Sequence, residues 1–348
     1  MINTVKHLIH HKQPLSTALK MLDDLGEDLT LFVIDDDKKL IGTLTDGDIR
    51  RGLLKGLLIK DMVILFMKDN FRFIHKDNYK VTDITKAKEL GIQILPVLDE
   101  KNRIIRLINF SQHKSYLPLS AVIMAGGEGI RLRPLTENLP KPLLKIGNKP
   151  ILEYGIDWLI KYGIDDFKIS INHLGKKIVE YFGDGSDKNI SISYIEEKIK
   201  LGTIGALSLV EDFKHDHVLV FNSDLLTNID LEEFYIQHDS KKADISVACI
   251  PYNVNIPYAI IDIDHENVLG FKEKPTITYQ SNAGIYLIRK KHLKRIPENQ
   301  FFNATQLIDN LISNRKKVIY YPILGYWLDI GKMDDYIKAQ EDIKYIKF

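Results

Sequence analysis

The segment Ala121-Val-Ile-Met-Ala-Gly-Gly-Glu-Gly-Ile-Arg-Leu-Arg-Pro-Leu-Thr136, followed at once by Glu-Asn-Leu-Pro-Lys-Pro-Leu143, constrains the fold of this chain most. An apolar run of strand length breaks at Gly126, Gly127 and Gly129, whose missing Cβ atoms let backbone N–H groups approach a phosphate closely. Arg131 follows directly, and Lys141 stands beyond a Pro-bounded turn. Both are suited to a triphosphate without any protein base. Neither the dinucleotide spacing GxGxxG nor the P-loop spacing GxxxxGK[ST] occurs, so this is a phosphate loop of a third kind.

Beyond the loop the pattern alternates: a strand over 121–125, a helix over 151–162, a strand over 167–171 and a helix over 176–182. Short strands separated by helical stretches predict an α/β fold with a mostly parallel mixed sheet, its ligands at the carboxyl ends of the strands. His217-Val-Leu-Val-Phe-Asn-Ser-Asp224 is a further apolar strand that ends in an acid, and Gly325-Tyr-Trp-Leu-Asp-Ile-Gly331 sets Asp329 between glycines. Two such carboxylates match the ligand preference of Mg²⁺, which takes one or two carboxylates together with substrate phosphates.

These segments, with Leu269-Gly-Phe-Lys-Glu-Lys-Pro275 and Ser281-Asn-Ala-Gly-Ile-Tyr-Leu287, resemble the sugar-1-phosphate nucleotidyltransferases, a Rossmann-like, GT-A-like family, over about 230 residues. The resemblance implies that Ala125, Gly126, Gly127, Gly129, Arg131, Lys141, Glu196, Glu197, Gly202 and Thr203 meet the nucleoside triphosphate. It assigns the sugar to Asn222, Tyr258, Ala259, Glu273, Lys274 and Asn282, the metal to Asp224 and Asp329, and the catalytic charges to Arg131, Lys141 and Lys274. Ile130, Ser223, Ile204 and Ala259 depart from common family residues without loss of a catalytic charge, which leaves sugar identity open. Glu196 and Glu197 precede the loop that reads the base by family analogy. A carboxylate only accepts, and guanine offers N1–H and the N2 amine side by side, so GTP is the expected substrate.

The first ~115 residues repeat at an offset of 64: His11-Lys-Gln13 recurs as His75-Lys-Asp77, and Phe32-Val-Ile-Asp35 as Pro96-Val-Leu-Asp99. Each copy reads as a helix ending near a glycine (Gly26, Gly91), a strand, an acidic turn, and a second strand entering a polar helix start. This resembles a tandem pair of CBS domains, an α+β regulatory module that commonly binds adenine nucleotides and assembles with its like. Gly42-Thr-Leu-Thr-Asp-Gly-Asp-Ile49 is similar to the CBS pattern in which Thr45 meets phosphate and Asp48 the ribose. The second copy carries Leu107 where a hydroxyl is wanted.

Leu117-Pro118 ends the repeat, giving an expected division into a regulatory and dimerising domain over 1–116 and a catalytic domain over 117–348. The pairing of the two narrows the resemblance to the glucosamine-1-phosphate guanylyltransferases of bacterial legionaminic-acid (flagellin-modification) pathways, with mannose- and heptose-1-phosphate guanylyltransferases, a UTP- or dTTP-using glucose-1-phosphate enzyme and, more remotely, a nucleotide-sensing regulator without catalysis as rivals. Opposite charges nearly cancel, 48 basic against 47 acidic, so small ligands are expected rather than nucleic acid or a membrane surface. A single cysteine fits a reducing cytoplasm, no signal peptide is visible, and a homo-oligomer assembled through the CBS pair is expected.

Overall fold

The computed structural model describes residues 4–26 and 29–346, and the chain divides into two compact units, 1–116 with 161–163, and 117–160 with 164–348. The first unit contains β1 (Leu8–His10), α1 (Leu15–Leu25), β2 (Thr30–Ile34), β3 (Leu40–Thr45), α2 (Asp46–Leu54), β4 (Ile74–His75), α3 (Val81–Glu89), β5 (Ile94–Leu98) and β6 (Ile104–Asn109). They form two three-stranded sheets, β1-β2-β3 and β4-β5-β6. The repeat survives at atomic detail. Thr30 pairs with Thr45 as Ile94 pairs with Asn109, and the bulge at Val33/Ile34 recurs at Val97/Leu98. Asp35 Oδ1 accepts the N–H groups of Asp37 and Lys39, and Asp99 Oδ1 those of Lys101 and Arg103, so the same acidic turn closes both hairpins.

The copies part after the second strand. β3 runs into α2, but the polar helix start expected after β6 is absent. Asn109 there accepts the Ser111 N–H at 2.8 Å on its side chain and the Gln112 and His113 N–H groups on its carbonyl, which closes a turn instead. Leu107 is buried with Phe32, Leu40, Ile94 and Leu98, a packing role that explains an apolar side chain at that place.

The second unit contains β7 (Leu119–Met124), β8 (Lys145–Ile146), β9 (Lys149–Pro150), α4 (Ile151–Lys161), β10 (Asp166–Ile171), α5 (Gly175–Phe182), β11 (Ser191–Glu196), β12 (His217–Asn222), β13 (Leu225–Thr227) and α6 (Leu231–Ser240). It continues with β14 (Ile245–Asn255), β15 (Ile260–Asp264), β16 (Asn267–Lys272), β17 (Thr276–Arg289), α7 (Ala304–Ser313), β18 (Val318–Pro322), β19 (Trp327–Asp329) and α8 (Met333–Asp342). Seven strands form a mixed sheet in the order β11-β10-β7-β12-β17-β14-β18, in which only β17 pairs antiparallel to its neighbours. The α/β architecture expected from the alternating pattern is therefore present. The central strands are apolar on both faces because helices cover them; α4 buries Ile151, Leu152, Ile156, Trp158 and Leu159.

The outer halves of β14 and β17 leave the sheet as a two-stranded arm, and the hairpin β15–β16 lies between them in sequence. Its apolar side chains stay in solvent, with Tyr258 75% and Phe271 70% exposed. Among the described residues no helix is long and apolar enough to cross a membrane.

On the buried face of α6, His238 is fully buried with Nδ1 2.7 Å from Ser246 Oγ, and burial pushes its imidazole down to about 3. His217, its ring 5.2 Å away, is lowered by burial as well. An imidazole whose folded pKa lies below its unfolded ~6.5 contributes stability above that pH and loses it as the pH falls. Urea unfolding of this protein should therefore show stability dropping from about pH 6.5 towards pH 5, by up to ~1.4 kcal/mol per pH unit from His238 alone. His238→Gln should flatten that slope. A wild type whose stability is constant across the window contradicts burial of the neutral imidazole.

Candidate active site

The chain leaves β7 towards β10 on one side, while β12 pairs with the other side of β7. The strand order reverses at this point, and a crevice opens at the carboxyl ends of the two strands. Met124 and Asn222 are the last register partners, and the Ser223 N–H donates to the Met124 carbonyl at 3.2 Å. The glycine-rich loop and the Asn222–Asp224 segment thus leave adjacent strand ends. A cleft of about 680 Å³ lies there, lined by Gly126, Gly127, Gly129, Arg131, Lys141, Glu197, Gly202, Thr203, Asn222 and Asp224 among others.

Two glycines in the loop have specific geometric reasons. Gly129 has φ +65, and a Cβ on it would come within 3.0 Å of both Lys141 Cβ and Thr136 Cγ2. The Thr136 hydroxyl donates to the Gly129 carbonyl at 2.8 Å, so the loop is folded tightly back on the segment that carries Lys141. Gly126 faces Glu197, whose Oε1 would lie 2.7 Å from an added Cβ.

Lys141 starts a short 3-10 turn after Pro140 and is buried, 9% exposed. Its Nζ donates to the Asp224 carboxylate and lies 4.0 Å from Asp329 Oδ1. Asp224 and Asp329 are far apart in sequence. The two-stranded ladder β13–β19 joins them, setting Leu225 opposite Asp329, and the Ile330 N–H donates to the Asp224 carbonyl at 3.1 Å. Burial, and then the negative charge of Asp224, raise the Asp329 carboxyl above the usual carboxylate range. The Oδ1 atoms of both aspartates are buried without a hydrogen-bond partner. Two carboxylates share one ammonium, an arrangement with unfilled oxygen ligands for a hard cation. Mg²⁺ fits this set, since it needs only one or two carboxylates and completes its shell with water and substrate phosphate.

The remaining expected residues are distributed unequally. Glu197 stands in the cleft wall and is 8% exposed, whereas Glu196 points to the exposed face of the edge strand β11. Gly202 has φ +79, and Thr203 is tied to the start of α7, its hydroxyl accepting the Ala304 N–H at 2.8 Å. Ala125 is buried and donates its N–H to the Ser170 carbonyl at 2.9 Å. Asn282 is occupied locally, donating to the Tyr286 hydroxyl and accepting the Gly284 N–H. Tyr258, Ala259, Glu273 and Lys274 lie on the exposed arm and are not among the residues lining the cleft. The structure adds Ser170, Asn172 and Leu201, which hold Glu197 in place. Ser170 had one visible signal, a polar residue inside an apolar strand.

In the first unit Thr45 caps α2 and forms a capping box with Asp48. Both Asp48 oxygens are committed: Oδ2 accepts the Thr45 N–H and hydroxyl, and Oδ1 accepts from Arg51. A second cleft of about 680 Å³ includes Thr43, Thr45, Asp48, Arg51, Lys68 and Arg72 in its lining.

Residues 120–345 match the nucleotidyl transferase family, and residues 7–55 match the CBS domain. The mannose-1-phosphate guanylyltransferase of Mycobacterium tuberculosis is 30% identical over 231 residues, 65% of this chain and 64% of that protein. The chain thus spans just under two thirds of that relative. The D-glycero-alpha-D-manno-heptose 1-phosphate guanylyltransferase of Aneurinibacillus thermoaerophilus is 33% identical over 232 residues, 65% of this chain and 99% of its own length. HddC from Yersinia pseudotuberculosis complexed with GMP-PN superposes with a TM-score of 0.50 at 26% identity, over 64% of this chain and 99% of that one.

The loop geometry separates its glycines. Gly129→Ala should destabilise the protein by about 1–3 kcal/mol in urea unfolding, because it meets both positive φ and close contact with Lys141. Gly127→Ala, with nothing within 4 Å of its Cβ, should stay within about 0.5 kcal/mol of wild type. Equal effects at the two positions would show that Gly129 is not conformationally required.

Proposed function

The chain belongs to the nucleotidyl transferase family, and from that premise we propose that it transfers a guanylyl group from GTP to a sugar 1-phosphate, releasing pyrophosphate. The observation that carries this reading is the cluster of Lys141, Asp224 and Asp329 beside a glycine-rich phosphate loop. A sugar 1-phosphate is already anionic near neutrality, so the reaction needs no general base. Its oxygen attacks the α-phosphorus in line, a new P–O bond forms, and the bond from the α-phosphorus to the bridging oxygen breaks as pyrophosphate leaves.

The chain's residues position the reactants and neutralise charge. Ala125, whose own N–H is held by the Ser170 carbonyl, starts the loop whose backbone N–H groups at Gly126, Gly127 and Gly129 receive the triphosphate; Arg131 faces the departing pyrophosphate, and Lys141 balances charge at the α-phosphate. Lys274 grips the sugar phosphate from the arm, with Glu273, Asn282, Asn222, Tyr258 and the backbone at Ala259 around the sugar. Asp224 and Asp329 hold Mg²⁺, which when bound supplies positive charge to the phosphate oxygens. Glu197, rather than the outward-facing Glu196, accepts from guanine N1–H and N2, while Gly202 and Thr203 flank the base.

Glucosamine 1-phosphate is the sugar favoured by the pairing of a CBS module with this transferase, giving GDP-glucosamine for legionaminic-acid-type synthesis. Mannose or heptose 1-phosphate is the second reading, favoured by the two guanylyltransferase relatives. The first unit regulates and assembles a homo-oligomer, and an adenine nucleotide placed in its cleft would meet Thr45. Asp48 would reach a ribose there only by releasing the α2 cap.

Pyrophosphate release should be measured for GTP, ATP, UTP and dTTP, each with glucosamine, mannose, heptose and glucose 1-phosphates. GTP should be used best, and preference for UTP or dTTP contradicts the guanine reading. Asp224→Asn should lower turnover by about a hundredfold or more without loss of fold, as expected for a lost charge at the metal and phosphate site. Near-wild-type turnover in saturating Mg²⁺ would remove Asp224 from that role. Glu197→Gln should weaken GTP use by ~1–3 kcal/mol, the scale of a lost base contact.

A further inference from the structure

Ser170 is fully buried on β10, between Ile169 and Ile171, where a hydroxyl needs a partner. It donates to Glu197 Oε1. On the other oxygen, the Leu201 N–H donates to Oε2 at 3.2 Å. The backbone of Glu197 is fixed as well, its carbonyl accepting from the Asn172 side chain at 2.7 Å and its N–H donating to the Ile171 carbonyl at 2.9 Å. Both groups that hydrogen-bond the carboxylate are donors. The lone pairs they leave form a purely accepting edge in the cleft wall beside Gly126.

We infer that Ser170 is a positioning residue for base selection, fixing the plane of the Glu197 carboxylate so that its two oxygens meet the two adjacent donors of guanine. The inference rests on the guanine reading proposed above. Each carboxylate oxygen carries two acceptor sites, so the Ser170 and Leu201 bonds leave one site on each for the base. Uracil presents a donor beside an acceptor and satisfies only half of such an edge. With the hydroxyl gone, the carboxylate keeps one anchor, the Leu201 backbone N–H, and its terminal torsion is intrinsically soft. The loss falls on base discrimination, since Lys141 and Asp224 are held by their contact with each other and not by Ser170.

Inosine triphosphate differs from GTP only in lacking the 2-amino group, which makes it the probe. In the full-length wild type the ratio of kcat/KM for GTP over that for ITP should be about tenfold or more, the scale of one base contact. Ser170→Ala should reduce that ratio about fivefold or more through the KM for GTP, with kcat within about twofold, because one anchor of the reading group is lost. Ser170→Thr and Ser170→Val have the same shape and differ in the hydroxyl, so a ratio kept in Thr and lost in Val isolates the hydroxyl even if Ala disturbs packing. A wild-type ratio retained in both Ala and Val variants overturns the inference, as does a wild type that uses ITP as well as GTP. A wild type that prefers UTP overturns the guanine reading itself, which separates the two failures.

Discussion

Two aspartates on distant segments become one site because a three-residue ladder, β13 with β19, pairs Leu225 with Asp329 and lets the Ile330 N–H reach the Asp224 carbonyl. The charge cluster depends on that ladder, and the ladder on the packing beneath it. Leu226, Leu328 and Ile330 are buried with Leu132, Leu144, Ile146 and Ile151, residues that also anchor the two segments flanking Lys141. One apolar cluster therefore fixes the backbone next to all three charged groups. Orphaned carboxylate oxygens and a buried lysine are costly in a folded protein unless something completes their coordination. Their persistence at the topological switch point is what makes the cleft read as a site for a polyanion and a cation.

The space for that polyanion comes from missing atoms. Gly129 adopts a left-handed φ and lies against Lys141, so the loop bends where a side chain would push the ammonium away from Asp224. Gly126 leaves room for the Glu197 carboxylate, which ties β10, β11 and the 201–203 loop into one wall. Phosphate side and base side of the cleft are thereby built from the same short stretch of chain after β7.

Much of this was legible in the sequence because the signals were local. The glycine loop, the strand ending in Asp224, the alternation of strands and helices, and the 64-residue repeat are each carried by contiguous residues, and β2 and β5 occupy the repeated registers. Relations set by tertiary pairing were not legible. Glu196 ends β11 on its exposed side and Glu197, the next residue, lines the cleft, a division that is known only once the sheet is assembled. Ser170 is a polar residue in an apolar strand, and the partner that explains it, Glu197, stands 27 residues further along the chain. The missing helix after β6 reflects Asn109 closing a turn, a local hydrogen bond that outcompetes helical propensity. The motif around Lys274 is clear in sequence, while the arm that carries it lies exposed.

The central claim is that the ladder joins Asp224 and Asp329 into a single cation site next to the bound triphosphate. Electron paramagnetic resonance of Mn²⁺ added to the full-length protein with a non-hydrolysable GTP analogue tests it without relying on turnover. The account predicts a bound Mn²⁺ signal in the wild type that is lost in both Asp224→Asn and Asp329→Asn. A signal that survives unchanged in either variant would contradict it.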